Sequence, residues 1–221
     1  MSTTVTAATR TVTLLDLGRQ SYRQTWDLQR DLQRRRIAGE IDDHLILVEH
    51  DPVYTIGRNA DDRYLLNRPA NVDVIQVERG GDITYHGPGQ LVGYPIIDLH
   101  NYQLSAGWLI RTMETVIVNT LADFGIEARM RDDFIGVWAG EEKIAALGVR
   151  LSRWVSMHGF ALNIATDLSY FGGIVPCGIA HLGVTSMSKI LEREVSLAEV
   201  KPVLLNHFKQ QFEVGLVGEK A

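Results

Sequence analysis

The chain has 221 residues, of which 45% are hydrophobic and 22% are charged, and its net charge is −5. This composition supports a sizeable core and excludes wholesale disorder, while the acidic balance argues against general nucleic-acid binding. No apolar run reaches the roughly 18 residues of a membrane span, no signal peptide is evident, and a single cysteine excludes an internal disulfide, so we expect a cytoplasmic protein with no membrane partner.

Hydrophobic periodicity predicts runs of short strands separated by helices. In chain order these are a strand at Val12–Leu17, a helix at Gln20–Ala38, strands at Leu45–Glu49, Val74–Val77 and Leu91–Leu99, a helix at Ala106–Phe124, strands at Ile135–Ala139, Glu142–Leu151 and Val155–Asn163, and a helix at Ser196–Phe212. Ser196 and Glu199 form a capping-box pattern at the start of the last helix. Because strands come in runs and no linker interrupts them, we expect one α+β (mixed α/β) domain over residues 1–221.

The segment from Arg79 to Gln90, RGGDITYHGPGQ, is the most unusual in the chain. Its five glycines and prolines are expected to interrupt a strand and to let the backbone approach a ligand closely. Arg79 and His86 add a cation and a titratable ring. The alternative interpretation is a wide hairpin that connects the strands at Val74–Val77 and Leu91–Ile97. The segment lacks both the Gly-Lys-Ser/Thr of a phosphate-binding loop and the GxGxxG pattern of a dinucleotide site.

Two further residues offer acid–base or nucleophile chemistry. Lys143 precedes the apolar run Ile144–Leu147, where a lysine either snorkels to solvent or serves a site. Cys177 stands between Pro176 and Gly178, which indicates a turn, although lone cysteines are most often small buried hydrophobes. Because a free thiol is mostly protonated at neutral pH, a nucleophilic cysteine needs a neighbouring cation or base. The candidates for that neighbour are Lys143, His86 and His158.

Two histidines are candidate supporting residues. His158 lies in a predicted strand whose alternation places it on one face with Ser156 and Phe160, and His50 ends a strand before a turn. A hydrogen-bonded structural role is the alternative for both. Histidines at metal-ligand spacing with an acidic partner are not evident, so we expect no metal site.

Together these segments resemble the octanoyltransferases of lipoate biosynthesis, the lipoyl(octanoyl) transferase family of lipoate-protein ligase B type. The resemblance rests on the order and separation of Arg79–Gln90, Lys143–Gly148, Met157–Asn163 and Pro176–Ile179, and on the Glu49–Arg58 segment, EHDPVYTIGR. It extends from about Ile41 to Phe212, which is nearly the whole chain.

The resemblance implies a fold similar to the catalytic domain of biotin and lipoate protein ligases, at about residues 41–217. That fold has a larger mixed sheet, a smaller sheet and flanking helices. It implies that Cys177 carries the acyl group as a thioester and that Lys143 lowers the pKa of the Cys177 thiol. The acyl-binding residues that it implies are Arg79, Gly80, Gly81, Asp82, Ile83, Thr84, Tyr85, His86, Ala146, Leu147, Gly148, Gly159, Phe160 and Ala161.

The implied reaction moves an octanoyl group from octanoyl-acyl carrier protein to one lysine of a lipoyl domain. The implied acceptors are the lipoyl domains of 2-oxoacid dehydrogenase acyltransferase subunits and the glycine cleavage H protein. We expect a monomer that uses no cofactor, no metal and no nucleic acid. The residues suit this chemistry, because exchange between two thioesters is nearly isoenergetic and a cysteine carrier therefore needs no ATP. Lys143, neutral while Cys177 is acylated, is the natural base for the incoming lysine, and backbone amides around Cys177 are expected to stabilise the oxyanion.

Three alternatives stay open from the sequence. An ATP-dependent lipoate or biotin ligase shares the implied fold, but it needs no cysteine and carries a Gly-Arg-Gly-Arg-x-Gly run that is absent here. A non-catalytic acyl-binding protein would not need Cys177 and Lys143 together. A cysteine hydrolase would pair Cys177 with His158 or His86 and would use water as the acceptor. The sequence does not decide which of these side chains is the main proton carrier.

Overall fold

The computed structural model describes residues 10–58, 69, 72–174 and 183–218. The strands are β1 (Arg10–Gln20), β2 (Asp43–His50), β3 (Val53–Ile56), β4 (Asp73–Gln76), β5 (Ile83–His86), β6 (Gln90–Ile96), β7 (Arg129–Met130), β8 (Val137–Ala139), β9 (Glu142–Ser152), β10 (Val155–Asn163) and β11 (Val214–Gly218). The helices are α1 (Tyr22–Ile37), α2 (Ala106–Asp123), α3 (Met187–Leu191) and α4 (Leu197–Phe212), with 3₁₀ turns at Leu99–Asn101 and Leu168–Gly173.

The larger sheet has eight strands in the order β11-β1-β2-β6-β10-β9-β8-β7. β1 pairs in parallel with β2 and β11, and the other neighbours pair antiparallel. The central strands β6 and β10 are buried along their whole length. Because both faces are buried, apolar side chains occur on both of them, as for Phe160 and Leu162 on one face of β10 and Met157 and Ala161 on the other.

A smaller sheet of three strands, in the order β4-β3-β5, lies beside the larger one. Its core is formed by Tyr54 and Ile56 of β3, by Ile83 and Tyr85 of β5, and by Phe171 from the second 3₁₀ turn. The Gly80 N–H donates to the Val149 carbonyl at 3.1 Å, which ties the chain before β5 to β9 of the larger sheet.

Helices cover both faces of the larger sheet. Helix α1 packs Leu32 against β2 and β6 on one face, while α2 and α4 bury the apolar stripes predicted from their periodicity on the other. The predicted capping box of α4 is confirmed, because the Ser196 hydroxyl accepts from the Glu199 N–H at 3.3 Å and the Glu199 carboxylate accepts from the Ser196 N–H at 3.0 Å. The predicted larger mixed sheet, smaller sheet and flanking helices are therefore confirmed.

The hairpin interpretation of Arg79–Gln90 is wrong. Strand β4 belongs to the smaller sheet and β6 to the larger one, so the segment crosses between sheets instead of folding back on one of them. The expectation that its glycines and prolines interrupt a strand is also too strong. Residues Ile83–His86 contain neither residue type, and they form β5 by antiparallel pairing with β3.

Several short elements were not predicted, namely β3, β5, β7, β11 and α3. Each has five residues or fewer, which is too short for a periodic pattern to stand out. Among the helices in the described part of the chain, none is long and apolar enough to cross a membrane.

Candidate active site

A cavity of about 490 Å³ opens where the smaller sheet meets β9 and β10. Its walls come from the chain before and within β5, from β9, from β10, and from the starts of α1 and α2. Residues that are far apart in the sequence thus reach one site because the two sheets are in contact.

The structure brings nearly all of the predicted acyl-binding residues to this cavity. They are Arg79, Gly80, Gly81, Asp82, Ile83, Thr84, His86, Ala146, Leu147, Gly148, Gly159, Phe160 and Ala161. Tyr85 is different, because its buried ring packs inside the smaller sheet and stacks on Tyr170 with 4.6 Å between ring centroids.

Arg79 is a buried cation that secures the start of the cavity wall. One guanidinium nitrogen, Nη2, donates to the Thr55 carbonyl at 2.7 Å and to the Thr55 hydroxyl oxygen at 2.9 Å. The other, Nη1, donates to the Gly80 carbonyl at 3.1 Å. These bonds fix the segment before β5 to β3 and hold the positive charge at the cavity.

His50 belongs to a buried hydrogen-bond chain behind the cavity. Its Nδ1–H donates to the Gln20 carbonyl at 3.1 Å, and its Nε2 accepts from the Tyr94 hydroxyl at 2.8 Å. Because a carbonyl can only accept, these two bonds fix the neutral tautomer of the ring. Tyr94 lines the cavity whereas His50 does not, so His50 acts on the site through Tyr94.

His86 is held in the same way from another direction. Its Nδ1–H donates to the Gln90 side-chain oxygen at 2.8 Å, and Gln90 Nε2 donates to Asn163 Oδ1 at 2.9 Å. Asn163 Nδ2 then donates to the Thr185 carbonyl at 3.1 Å. This series of hydrogen bonds connects β5, β6 and β10 to the segment that begins at Gly183.

His158 lines the cavity and differs from the other two histidines. It is 1% exposed, and neither ring nitrogen has a hydrogen-bond partner among the described residues. Its φ is +62°, a left-handed value that few non-glycine residues adopt, although β10 stays paired with β9 through this residue. The His158 N–H instead reaches Gln29 Oε1 in α1 at 3.0 Å.

Burial keeps all three rings neutral at physiological pH. It lowers the pKa of His50 to about 4 and the pKa of His86 and of His158 to about 3. Burial is the largest cause in each case, because a charged ring would lose its hydration, and it outweighs the opposing effects of Asp51 on His50 and of Glu78 on His158. A general base works best with a pKa near the working pH, so these histidines are poor proton acceptors for catalysis.

Lys143 lies at the start of β9 and lines the cavity. Its Nζ donates to the Ile135 carbonyl at 3.3 Å and lies 4.8 Å from the centre of the Trp138 ring. Its backbone pairs with Gly183–Thr185, because its N–H donates to the Gly183 carbonyl at 2.9 Å and its carbonyl accepts from the Thr185 N–H at 3.0 Å. The residue is partly buried, and its ammonium group reaches the cavity.

The predicted nucleophile Cys177, with Pro176 and Gly178, lies outside the described residues. The described residues on both sides of it belong to the site, since Phe171 and Val184 both line the cavity. The described part of the chain contains no cluster of three or more side chains suited to hold a metal ion.

Sequence reasoning missed several cavity residues, namely Tyr22, Tyr94, Ala106, Ile110, Phe134, Asn163 and Phe171. Tyr94 and Asn163 lie in strands that read as core, and Ile110 belongs to the apolar stripe of α2. Only contact between elements distinguishes such residues from ordinary core. A polar side chain inside an otherwise apolar strand, as at Tyr94, was the one available signal.

The low pKa of His158 predicts acid sensitivity of the fold. In the unfolded chain an ordinary histidine has a pKa of about 6.5. Below that pH the unfolded state therefore binds more protons than the folded state, and the free energy of unfolding falls. For one such histidine the loss is about 2 kcal/mol at pH 5. We expect His158→Asn to remove a loss of that size between pH 7 and pH 5, because asparagine also tolerates positive φ. Urea unfolding at pH 7 and at pH 5 measures the free energy of unfolding of each variant. His100→Asn, at an exposed histidine, is the matched control; an equal acid-induced loss in both variants would contradict the prediction.

Comparison with known proteins agrees with this geometry. Residues 21–209 match the family described as the lipoyl protein ligase A/B catalytic domain. The octanoyltransferase of Gloeobacter violaceus is 48% identical over 202 residues, which cover 91% of this chain and 90% of that protein. A bi-partite lipoate protein ligase from Thermoplasma acidophilum has the same fold, with a TM-score of 0.73 at 18% identity over 97% of this chain and 88% of that one.

The biotin protein ligase of Aquifex aeolicus is a more distant structural neighbour, with a TM-score of 0.52 at 12% identity over 93% of this chain and 70% of that one. These two structural likenesses confirm the predicted ligase-like fold. By its sequence the chain belongs to the lipoyl protein ligase A/B catalytic domain family and, within it, to the octanoyltransferases.

Proposed function

We propose that this acyltransferase carries an octanoyl group from octanoyl-acyl carrier protein to one lysine of a lipoyl domain, through a thioester on Cys177. The observation that supports it most is the composition of the cavity. Lys143 lines it together with the three segments predicted to bind the acyl group, which are Arg79–His86, Ala146–Gly148 and Gly159–Ala161. We further propose that the acceptors are 2-oxoacid dehydrogenase acyltransferase subunits and the glycine cleavage H protein, and that the enzyme works as a monomer in the cytoplasm.

In the first step the Cys177 thiolate attacks the donor thioester, a sulfur–carbon bond forms, and the carrier thiol leaves with a proton from Lys143. In the second step the amine of the acceptor lysine attacks the Cys177 thioester and gives its proton to the now neutral Lys143. The amide bond forms as the Cys177 thiolate leaves. Each step balances without an added cofactor, and Lys143 returns to its starting charge.

The histidines support Lys143 as the proton carrier. A cysteine hydrolase would need His86 or His158 as its base, yet burial lowers the pKa of each ring to about 3. A ring with that pKa takes up a proton poorly at neutral pH. His50 and His86 are instead positioning residues, because each is fixed in one tautomer within a chain that ends on a cavity wall.

The first test is the covalent intermediate. We expect the intact protein to gain one octanoyl group after incubation with octanoyl-acyl carrier protein, with the group lost on treatment with hydroxylamine. Peptide mass spectrometry should place it on Cys177, because the chain has no other thiol. Cys177→Ser should lose steady-state transfer, and full turnover by Cys177→Ala would refute the proposed intermediate.

The second test separates the two roles of Lys143. Lys143→Arg keeps a positive charge but has no removable proton near neutral pH, so it should keep fast alkylation of Cys177 by iodoacetamide while amide formation falls about a hundredfold or more. Lys143→Met should lose both. A wild-type pH profile of alkylation in Lys143→Met would reduce Lys143 to a structural residue.

The third test concerns chain length, and the structure shows which position to change. Gly159 is unsuitable, because a Cβ there would lie 2.2 Å from the Gly93 carbonyl oxygen and 2.8 Å from Pro95 Cδ, which points into β6 and not into the slot. Ala146 lines the cavity in β9, between Lys143 and Gly148, and is partly exposed.

We expect Ala146→Leu to shorten the preferred acyl chain, because the larger side chain occupies space that methylenes would fill. Each buried methylene is worth about 0.8 kcal/mol, so kcat/KM for an octanoyl donor relative to a hexanoyl donor should fall about fourfold for each one displaced. Ala122→Leu, the same change at an exposed position of α2, is the control. An unchanged ratio in Ala146→Leu would place the acyl chain elsewhere.

A further inference from the structure

A single peptide unit, between Ile135 and Gly136, connects Lys143 to helix α2. Its carbonyl oxygen accepts from Lys143 Nζ at 3.3 Å. Its N–H donates to Glu114 Oε1 at 2.8 Å. The carbonyl and the N–H of a trans peptide point in opposite directions, so this unit has a carboxylate at one end and an ammonium at the other.

Gly136 leaves no room for a side chain at this position. Gly136 has a φ of +138°, and a Cβ there would lie 2.9 Å from the Ala145 carbonyl oxygen and 3.1 Å from Lys143 Cε. A residue with a side chain would therefore push the Lys143 stem away. The glycine allows the lysine to pass against the backbone on its way to the Ile135 carbonyl.

Glu114 is a buried acid with a definite set of donors. The residue is 0% exposed, and while Oε1 accepts from Gly136, Oε2 accepts from Arg111 Nη1 at 3.2 Å. Burial raises the pKa of Glu114, and the Gly136 N–H, Arg111 and Lys143 oppose that rise. A carboxylate whose two oxygens both face donors is stabilised in its charged form.

We propose that Glu114 is a positioning residue for Lys143, which acts through the Ile135–Gly136 peptide to aim the lysine and to favour its ammonium form. This inference rests on the proposed role of Lys143 as the proton carrier. The charged carboxylate polarises the peptide, so the Ile135 carbonyl becomes a better acceptor for the ammonium. Helix α2, which is part of the main core, thereby sets the geometry of a side chain in the site.

Several other charged side chains lie near Lys143, and a variant that tests Glu114 must leave them unchanged. Arg111 on α2 also donates to Asp132 at 3.0 Å, Arg131 lies with its guanidinium 5.1 Å from the Trp138 ring centre, and Asp133 lines the cavity. On β9, Glu142 pairs with Lys189 of α3 at 2.9 Å. Among the charged side chains in the described part of the chain, Glu114 is the one that reaches the same peptide as Lys143.

The decisive variant is Glu114→Gln. The glutamine oxygen still accepts from the Gly136 N–H, so the peptide keeps its orientation while the negative charge is lost. We expect Lys143 to react as a free amine at lower pH in this variant than in the wild type, because the negative charge behind the peptide is gone. Glu127→Gln, which makes the same charge change at an exposed residue after α2, is the matched control.

The pKa of Lys143 is best measured without the thiol, in a Cys177→Ser background. Trace acetylation by acetic anhydride across a pH series, followed by peptide mass spectrometry, reports the neutral fraction of this one lysine. We expect the midpoint to shift to lower pH in Glu114→Gln and to stay in place in Glu127→Gln. Identical midpoints in the two variants would overturn the proposal.

A second measurement uses the active enzyme with intact Cys177. The rate at which octanoylated enzyme transfers its group to a lipoyl domain should rise with pH as Lys143 loses its proton, and this rise should occur at lower pH in Glu114→Gln. Glu114→Ala, which also removes the acceptor for the Gly136 N–H, should lower kcat at least tenfold while KM for the donor changes little. Equal kcat in Glu114→Ala and the wild type would also refute the positioning role.

The experiments distinguish a failure of the proposed function from a failure of the proposed role of Glu114. If the wild type forms no octanoyl adduct on Cys177, the proposed function fails. If the wild type forms the adduct and depends on Lys143, but Glu114→Gln titrates like Glu127→Gln, only the role of Glu114 fails.

Discussion

The contact between the two sheets is the constraint on which the site depends. It is made by the backbone, through the Gly80 N–H and the Val149 carbonyl, and it leaves almost no space, since a Cβ on Gly148 would lie 2.7 Å from the Gly80 carbonyl oxygen. Arg79 then fixes the same segment to β3 through Thr55. The Arg79–Gly80 segment is thus bonded both to β9 and to β3, and the slot is the space that remains between the two sheets beside this contact. In the proposed function, an acyl chain in this slot would gain about 0.8 kcal/mol for each methylene that leaves water.

Most polar groups in the slot and directly behind it are neutral or already hydrogen-bonded. Burial lowers the pKa of the three histidines and raises the pKa of the phenols of Tyr22 and Tyr94, so all five rings stay uncharged near pH 7. Neutral rings of this kind do not exchange protons near pH 7, so the charges that line the cavity belong to Arg79, Asp82, Asp133 and Lys143. Lys143 is different, because it lines the cavity and also bonds to a peptide, Ile135–Gly136, whose other end bonds to the Glu114 carboxylate.

The sequence predicted the long elements, and most of the residues that it indicated as acyl-binding line the cavity, for a clear physical reason. Helices such as Gln20–Ala38 bury one face over several turns, and their periodicity is visible in a single chain. The resemblance identified the Arg79–His86 segment because close backbone contacts require a particular pattern of glycines. The crossing of that segment between sheets was not predictable, since hydrophobic strands on both sides are equally consistent with a hairpin. Tyr85 shows the same limit, because its alternation with Thr84 and His86 places its ring in the smaller sheet, and a motif does not state which face is which.

Glu114 was invisible in the sequence because it lies in the apolar stripe of a helix that reads as core. Its position has a cost, since burial raises the pKa of a carboxylate and opposes its charge. A hydrophobic residue would fill the same space in α2 without that cost. The retained acid therefore needs an interaction that only a carboxylate or its amide can make, and the Gly136 N–H supplies it. Because the opposite end of that peptide accepts from Lys143, we propose that burying the carboxylate serves to fix the place of the lysine side chain.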